Sequence, residues 1–158
     1  MSDAPWLASA ARPVTAAGAL VRDPSGLVLL VEPTYEPTWE VPGGLVEAGE
    51  GPAAACQREL LEELGLGPDE LPLGRLLCLD WTTTPQGDAL RMVYDGGVLP
   101  GASRLRLPAD ELVSAEFVDL DEVDRRCLPV LARRVRAAVL AAAEGVLVEL
   151  EDGQQRRT

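Results

Sequence analysis

Residues 43–66, GGLVEAGEGPAAACQRELLEELGL, constrain this chain more tightly than any other stretch. Pro52 suits the first turn of a helix, where its missing N–H is no loss. Gly65 suits the position just past a helix end, and Pro68 blocks continuation. A helix is therefore predicted over 52–64, entered from a loop that begins at the glycine pair. At roughly 100° per residue, Glu59, Glu62 and Glu63 share one stripe. Ala53, Leu60, Leu61 and Leu64 are expected to point the other way, towards a core. Glu59 and Glu63 stand one turn apart, and like charges at that spacing weaken a helix unless a cation lies between them. A hard divalent ion would resolve the repulsion, and Mg²⁺ binds this way with a few carboxylates and a substrate phosphate.

The rest of the chain alternates strand and turn signals. VTAAGALV (14–21) and LVLLVE (27–32) read as a hairpin around the turn DPSG (23–26). WEV (39–41) is short and extended before Pro42. GRLLCLDW (74–81) and ALRMVYDGGVL (89–99) read as strands joined by the loop TTTPQGD, and SAEFVDL (114–120) as another strand. CLPVLARRVRAAVLAAAEG (127–145) has helical periodicity at 128, 131, 135, 139 and 142. VLVELEDG (146–153) reads as a last short strand. Strands mixed with two separated helices predict an α/β fold with a sheet packed between helices. The expected organisation is a loose leader over 1–13, one domain over 14–152 and a frayed tail over 153–158.

Composition removes several function classes. The chain contains neither lysine nor histidine; all 14 basic residues are arginine. Without histidine there is no Ser-His-Asp or Cys-His catalysis, no histidine zinc ligand and no phosphohistidine. Acid–base work is left to carboxylates, arginine, tyrosine, cysteine or water. A net charge of −12 argues against a broad basic patch for duplex DNA or RNA. The longest apolar runs, such as LVLLV at 27–31, are too short to span a bilayer. Cysteines 56, 78 and 127 sit among apolar neighbours without a C-x-x-C pattern, which fits reduced thiols in a cytoplasm. The N-terminus lacks the pattern of a signal peptide, which supports a cytoplasmic expectation.

The spacing of the acidic segment carries more than its charge. Gly44 is followed after five residues by Glu50. Seven residues later come Arg58-Glu59-Leu60, then Glu62-Glu63 and Gly65-Leu66, each after one residue. This resembles the Nudix box of the Nudix hydrolases at every defined position. Upstream W-x-x-P-G-G (39–44) and downstream E-F-V-x-L-x-E (116–122) look like the family's flanking features.

The resemblance implies an α/β/α sandwich around a central mixed sheet, with the box as loop–helix–loop. It implies a pyrophosphohydrolase that cleaves a nucleoside diphosphate linked to X by attack of water at phosphorus. X would complete a nucleoside triphosphate or a nucleotide sugar such as ADP-ribose, and Mg²⁺ or Mn²⁺ would be the cofactor. Carried onto this sequence, Glu59, Glu62, Glu63 and the carbonyl of Gly44 would ligate metal, with Glu59 as general base. Arg58 would hold Glu59, and Glu50 would brace the loop or act through water.

A further carboxylate from a later loop is expected at Glu111, with Asp110 beside it; a solvated loop or helix cap is the plain alternative there. Glu116 reads as a polar strand-edge position. Among Trp39, Trp81, Tyr94 and Phe117, Trp81 is the first choice to stack on a base, and Arg91 is a candidate for a terminal phosphate. A homodimer is common among proteins of this kind, and helix 127–145 serves equally well for internal packing. The competing reading is a non-catalytic nucleotide-binding module. Such a module is free to lose box carboxylates, and this chain keeps them all. A domain whose acidic helix merely binds Ca²⁺ would need the spaced loop ligands of an EF-hand, and these are lacking.

Overall fold

The computed structural model describes residues 4–156. The first three residues of the expected leader and the last two of the expected tail lie outside the described residues. Its elements run β1 (Val14–Arg22), β2 (Val28–Pro33), β3 (Gly43–Leu45), α1 (Pro52–Leu64), β4 (Leu76–Thr84) and β5 (Gly87–Val98). They continue with β6 (Leu112–Val118), α2 (Leu120–Arg126), α3 (Pro129–Glu144), β7 (Val148–Glu151) and β8 (Gln154–Gln155). A single 3₁₀ turn at Pro5–Ala8 precedes them.

The sheet order is β6-β2-β1-β5-β4-β7-β8, with β3 pairing β1 off this path. It is mixed: β1 runs parallel to β5 and β4 parallel to β7, whereas the other pairs are antiparallel. Side chains alternate across it, as the pleat requires. Ala17, Ala19, Val21, Leu29 and Val31 pack against Cys56, Leu60 and Leu64 of α1. Leu20, Val28, Leu30, Cys78, Val93 and Leu150 pack against Val123 of α2 and Leu131, Val135 and Ala138 of α3. The result is the expected sandwich of helix, sheet and helices.

Four details differ from the sequence reading. The TTTPQGD segment is not an open loop: the three threonines complete β4 and Gly87 opens β5, so Thr84 pairs with Gly87 across a tight turn. The helix read over 127–145 is preceded by a separate short helix, α2, with Asp119 accepting from the Glu122 N–H as its cap. Gln154 and Gln155, read as tail, pair with Leu150 and Glu151. On α1, Ala53 is exposed and Leu61 is 54% exposed; the buried face is Ala55, Cys56, Leu60 and Leu64. All three cysteines are buried and unpaired, and burial pushes their thiols up to about 12.

Candidate active site

The acidic residues of α1 meet the sheet at β3, and two glycines make that approach possible. Gly43 has φ +151°, and a Cβ there would lie 2.4 Å from the Ala17 carbonyl oxygen and the Gly18 Cα. Its partner in register is Gly18 of β1, so two strands touch where neither carries a side chain. A Cβ on Gly44 would lie 2.3 Å from Glu59 Oε1. The Glu59 carboxylate therefore rests directly on the Gly44 backbone.

Arg58 organises the loop before the helix. Its Nε and Nη2 donate to the two oxygens of Glu50 at 2.9 and 3.0 Å, a bidentate pair. Nη1 donates to Glu59 Oε1 at 2.8 Å and to Glu62 Oε2 at 3.3 Å, while Nη2 also reaches the Leu45 carbonyl at 3.0 Å. Glu50 accepts in addition from the Glu47 N–H at 3.1 Å. One guanidinium thus ties the loop over 45–50 to the helix and fixes Glu59.

Glu63 behaves differently from its neighbours. The stripe reading put it on a polar face, but it lies on the border of the buried face and lines the cleft. Burial pushes its carboxyl up to about 8, against the pull of the Gly43 N–H, which donates to Oε2 at 3.2 Å. The nearby charges of Glu59, Glu111 and Glu40 push in the same direction as burial. Glu59 is also raised, first by burial, with Arg58 opposing and Glu62 and Glu111 adding to it. The sequence-distant Glu111 is brought here by its own backbone: its carbonyl accepts from the Thr34 N–H at 2.9 Å, next to the Asp110 carbonyl held by Thr34 Oγ1.

These groups fit a hard cation in donor type and charge. Glu59, Glu62, Glu63, Glu111 and the Gly44 carbonyl are the oxygens available to hold one. Among the described residues no three acidic or thiol side chains converge into a ready-made cage. The reason is local: Arg58 draws Glu59 and Glu62 aside while Glu63 turns to Gly43.

A cleft of about 560 Å³ runs from Gly43, Gly44 and Glu63 across β1 and β5 to α3. Tyr35, Glu40, Arg91, Leu128 and Arg134 line it as well. Arg91 is thus on the cleft, as a candidate substrate residue should be. Trp81 is not. It sits within β4 opposite Leu90, in a separate groove with Leu79, Glu149 and Glu151, because the tight turn leaves it no loop to open. Trp39, Tyr94 and Phe117 pack against the two cores, and Trp39 lies under Arg126 at 4.6 Å. Glu116 pairs with Arg126 at 2.7 Å.

Three cleft residues escaped the sequence reading. Tyr35 is 74% exposed at the mouth, on the Pro-flanked loop before the Trp39 motif. Glu40 lies inside that motif, and burial raises its carboxyl. Arg134 is 5% exposed and pairs through Nε with Asp80 Oδ2 at 2.8 Å. Its position, three residues after Leu131 and four before Ala138, places it in the apolar stripe of α3 and was the available signal.

Comparison with known proteins agrees with this architecture. A family model described as NUDIX domain matches residues 12–141. A Mycobacterium tuberculosis protein named "Putative 8-oxo-dGTP diphosphatase 2" is 36% identical over 138 residues, covering 79% of this chain and 92% of its own. A MutT-like protein of Streptomyces ambofaciens is 32% identical over 143 residues, covering 89% of this chain and 84% of its own. The crystal structure of a MutT protein from Methanosarcina mazei Go1 superposes with a TM-score of 0.67 at 22% identity, covering 87% of this chain and 99% of that one. With the box on α1, the sandwich around a mixed sheet and these matches together, the chain belongs to the Nudix family of hydrolases.

Proposed function

We propose that the chain is a divalent-metal-dependent pyrophosphohydrolase, with Mg²⁺ or Mn²⁺ as cofactor. Its substrate is a nucleoside diphosphate linked to X, with a nucleoside triphosphate placed ahead of a nucleotide sugar. The observation that carries this reading is the placing of box carboxyls on the glycine pair: Glu59 rests on the Gly44 backbone and Glu63 accepts from the Gly43 N–H, at one end of a nucleotide-sized cleft. Nudix hydrolases generally use divalent metal ions, and the oxygen-only donor set here is of that kind. The relative named as an 8-oxo-dGTP diphosphatase supports the triphosphate over the sugar.

Phosphoanhydrides resist hydrolysis because their negative oxygens repel an incoming nucleophile; a bound divalent ion supplies the neutralising charge and lowers the pKa of water. Gly44, Glu59, Glu62, Glu63 and Glu111 would hold that ion. Glu59 is the general base, its carboxylate set on the Gly44 backbone beside the other donors. Arg58 keeps Glu59 in one orientation, and Glu50 keeps Arg58 in place. The backbone of Gly43 and Gly44 brings the phosphates close to these groups, since no side chain intervenes.

The test is phosphate release from a panel of nucleoside triphosphates, 8-oxo-dGTP, ADP-ribose, other nucleotide sugars and dinucleoside polyphosphates, with coupling enzymes for pyrophosphate or monophosphate products. Turnover with Mg²⁺ or Mn²⁺ that stops on chelation is expected. No turnover on any of these with either ion would refute the proposal.

A further inference from the structure

One arginine of the cleft is anchored by a buried relay. Arg134 is 5% exposed, and it lines the cleft together with Leu128 and Leu131. Its Nε donates to Asp80 Oδ2 at 2.8 Å, while neither Nη nitrogen donates to an atom of the described residues. Asp80 is fully buried, and its other oxygen accepts from the Gly153 N–H at 3.0 Å. Gly153 has φ +74°, and a Cβ there would lie 2.7 Å from the Val130 carbonyl oxygen in the first turn of α3. Asp152 secures the same turn. Its N–H donates to the Trp81 carbonyl at 2.9 Å, its carbonyl accepts from Arg133 Nη2 at 2.8 Å, and its Oδ1 accepts from the Thr83 N–H at 3.2 Å. The turn between β7 and β8 is thereby clamped to β4 and α3, and it lies beyond the residues that the family model matches.

The strand register gives the distance from this relay to the phosphate end. Leu45, Ala16, Arg91 and Asp80 form one row across β3, β1, β5 and β4. At about 4.8 Å per strand spacing, Asp80 stands roughly 14 Å from the strand that carries Gly43 and Gly44. Phosphates seated on that glycine pair do not extend so far, even with the reach of a guanidinium. The sugar and base attached to them do. Stability alone does not account for the buried pair, since an apolar pair of equal volume is commonly as stable or more so. A donor locked in one orientation, by contrast, binds without first losing rotamer freedom.

We propose that Asp80 is a positioning residue for the nucleoside part of the substrate. It fixes Arg134 so that the Nη nitrogens donate into the cleft, to an acceptor atom beyond the hydrolysed phosphates, and the turn at Asp152-Gly153 fixes Asp80. The proposal rests on the nucleotide substrate proposed above. The contact with substrate belongs to Arg134, and Asp80 acts only through it. Removing the Asp80 charge therefore matters to binding only while Arg134 is present. A cation without the planar fork does not replace the arginine. Lysine at 134 spends its one nitrogen on Asp80 and leaves no second donor group for the cleft.

The experiment is calorimetric binding on the full chain with Mg²⁺. The ligands are the α,β-methylene analogues of ATP, GTP, CTP and UTP, which resist cleavage between the first two phosphates, and inorganic tripolyphosphate, which has no nucleoside. Arg134→Gln, Arg134→Lys and Asp80→Asn should each weaken the tightest-bound analogue roughly 10-fold or more and leave tripolyphosphate within about two-fold. The double variant Asp80→Asn with Arg134→Gln should bind as Arg134→Gln does. By melting curve Arg134→Lys should be more stable than Arg134→Gln and yet bind the analogue no better, an outcome that a purely structural role does not give. That comparison carries the test if Asp80→Asn does not fold. The proposal is overturned if no analogue binds the parent more tightly than tripolyphosphate or if Arg134→Gln binds the analogue unchanged. Equal losses for tripolyphosphate, or additive losses in the double variant, overturn it too. Variant losses as expected with no hydrolysis of any nucleotide would refute the hydrolase proposal alone, and hydrolysis with Arg134→Gln binding unchanged would refute this one alone.

Discussion

Glu63→Gln should make the metal-free protein more stable at pH 8 while removing most of its turnover. In the unfolded chain this carboxyl titrates near 4.5, whereas in the folded chain burial moves it to about 8. A raised carboxyl favours the folded state fully below the unfolded value and loses that contribution as pH climbs towards the folded one. The interval is roughly 3.5 pH units, and at 1.36 kcal/mol per unit the ceiling is about 5 kcal/mol. Glu40 and Glu59 are raised as well and act in the same direction. Glu50 and Asp124 are held low by Arg58 and Arg136, so their contributions fade only in more acid solution.

Glutamine keeps the acceptor for the Gly43 N–H but brings an amide NH₂ that lacks a partner, a cost of about 1–3 kcal/mol. The net gain at pH 8 should then be about 2–4 kcal/mol, shrinking to nothing or reversing at pH 5. Urea unfolding of parent and variant in chelator at the two pH values measures it. A divalent ion should restore the parent at pH 8 and do little for the variant. A variant less stable than its parent at pH 8 in chelator would refute the reasoning, as would a parent that gains stability from pH 5 to 8.

Other substitutions probe separate parts of the design. Gly44→Ala should lower kcat at least ~10-fold with a modest change in melting temperature, because its methyl group displaces the Glu59 carboxylate. Asp80→Ala leaves the Arg134 cation buried and unpaired, and denaturant unfolding should show a loss of about 3–5 kcal/mol. Trp81→Ala should leave KM for the nucleotide within about two-fold of the parent, since its groove is not the cleft. A larger rise in KM would return Trp81 to the substrate site.

What could be read from the sequence was what local chemistry dictates. Pro52 and Gly65 bound α1 as predicted, because a helix start and stop depend on single residues. The strands with alternating apolar residues were legible for the same reason. The turn at Pro85-Gln86 was misjudged because three threonines suit a loop and a strand equally, and pairing with β5 decided for the strand. The short helix α2 has too few residues to show a period, and its cap at Asp119 was the one local sign. At the site, the box marked the acidic helix, but not that Glu59 and Glu63 would be drawn in against β3 while Glu62 stays exposed. Glu40, Arg91, Arg134 and Tyr35 come together only through the packing of β2, β5 and α3, and no spacing along the chain records that meeting.

The parallel pairing of β1 with β5 also sets an order of assembly. Val14 lies opposite Ala89 and Leu20 opposite Asp95, so the central strand has no partner on that side until more than half the chain exists. Its other neighbours offer less: β2 meets it through Arg22 and Val28, and β3 through three residue pairs. Closing so long a loop costs entropy before any contact repays it, which places this chain among slow-folding topologies. During synthesis the acidic helix is complete long before the sheet that seats it. The hydrolytic end of the cleft is therefore finished only when residues 87–98 dock, and a ribosome-bound chain that stops short of them would carry the box without a working site.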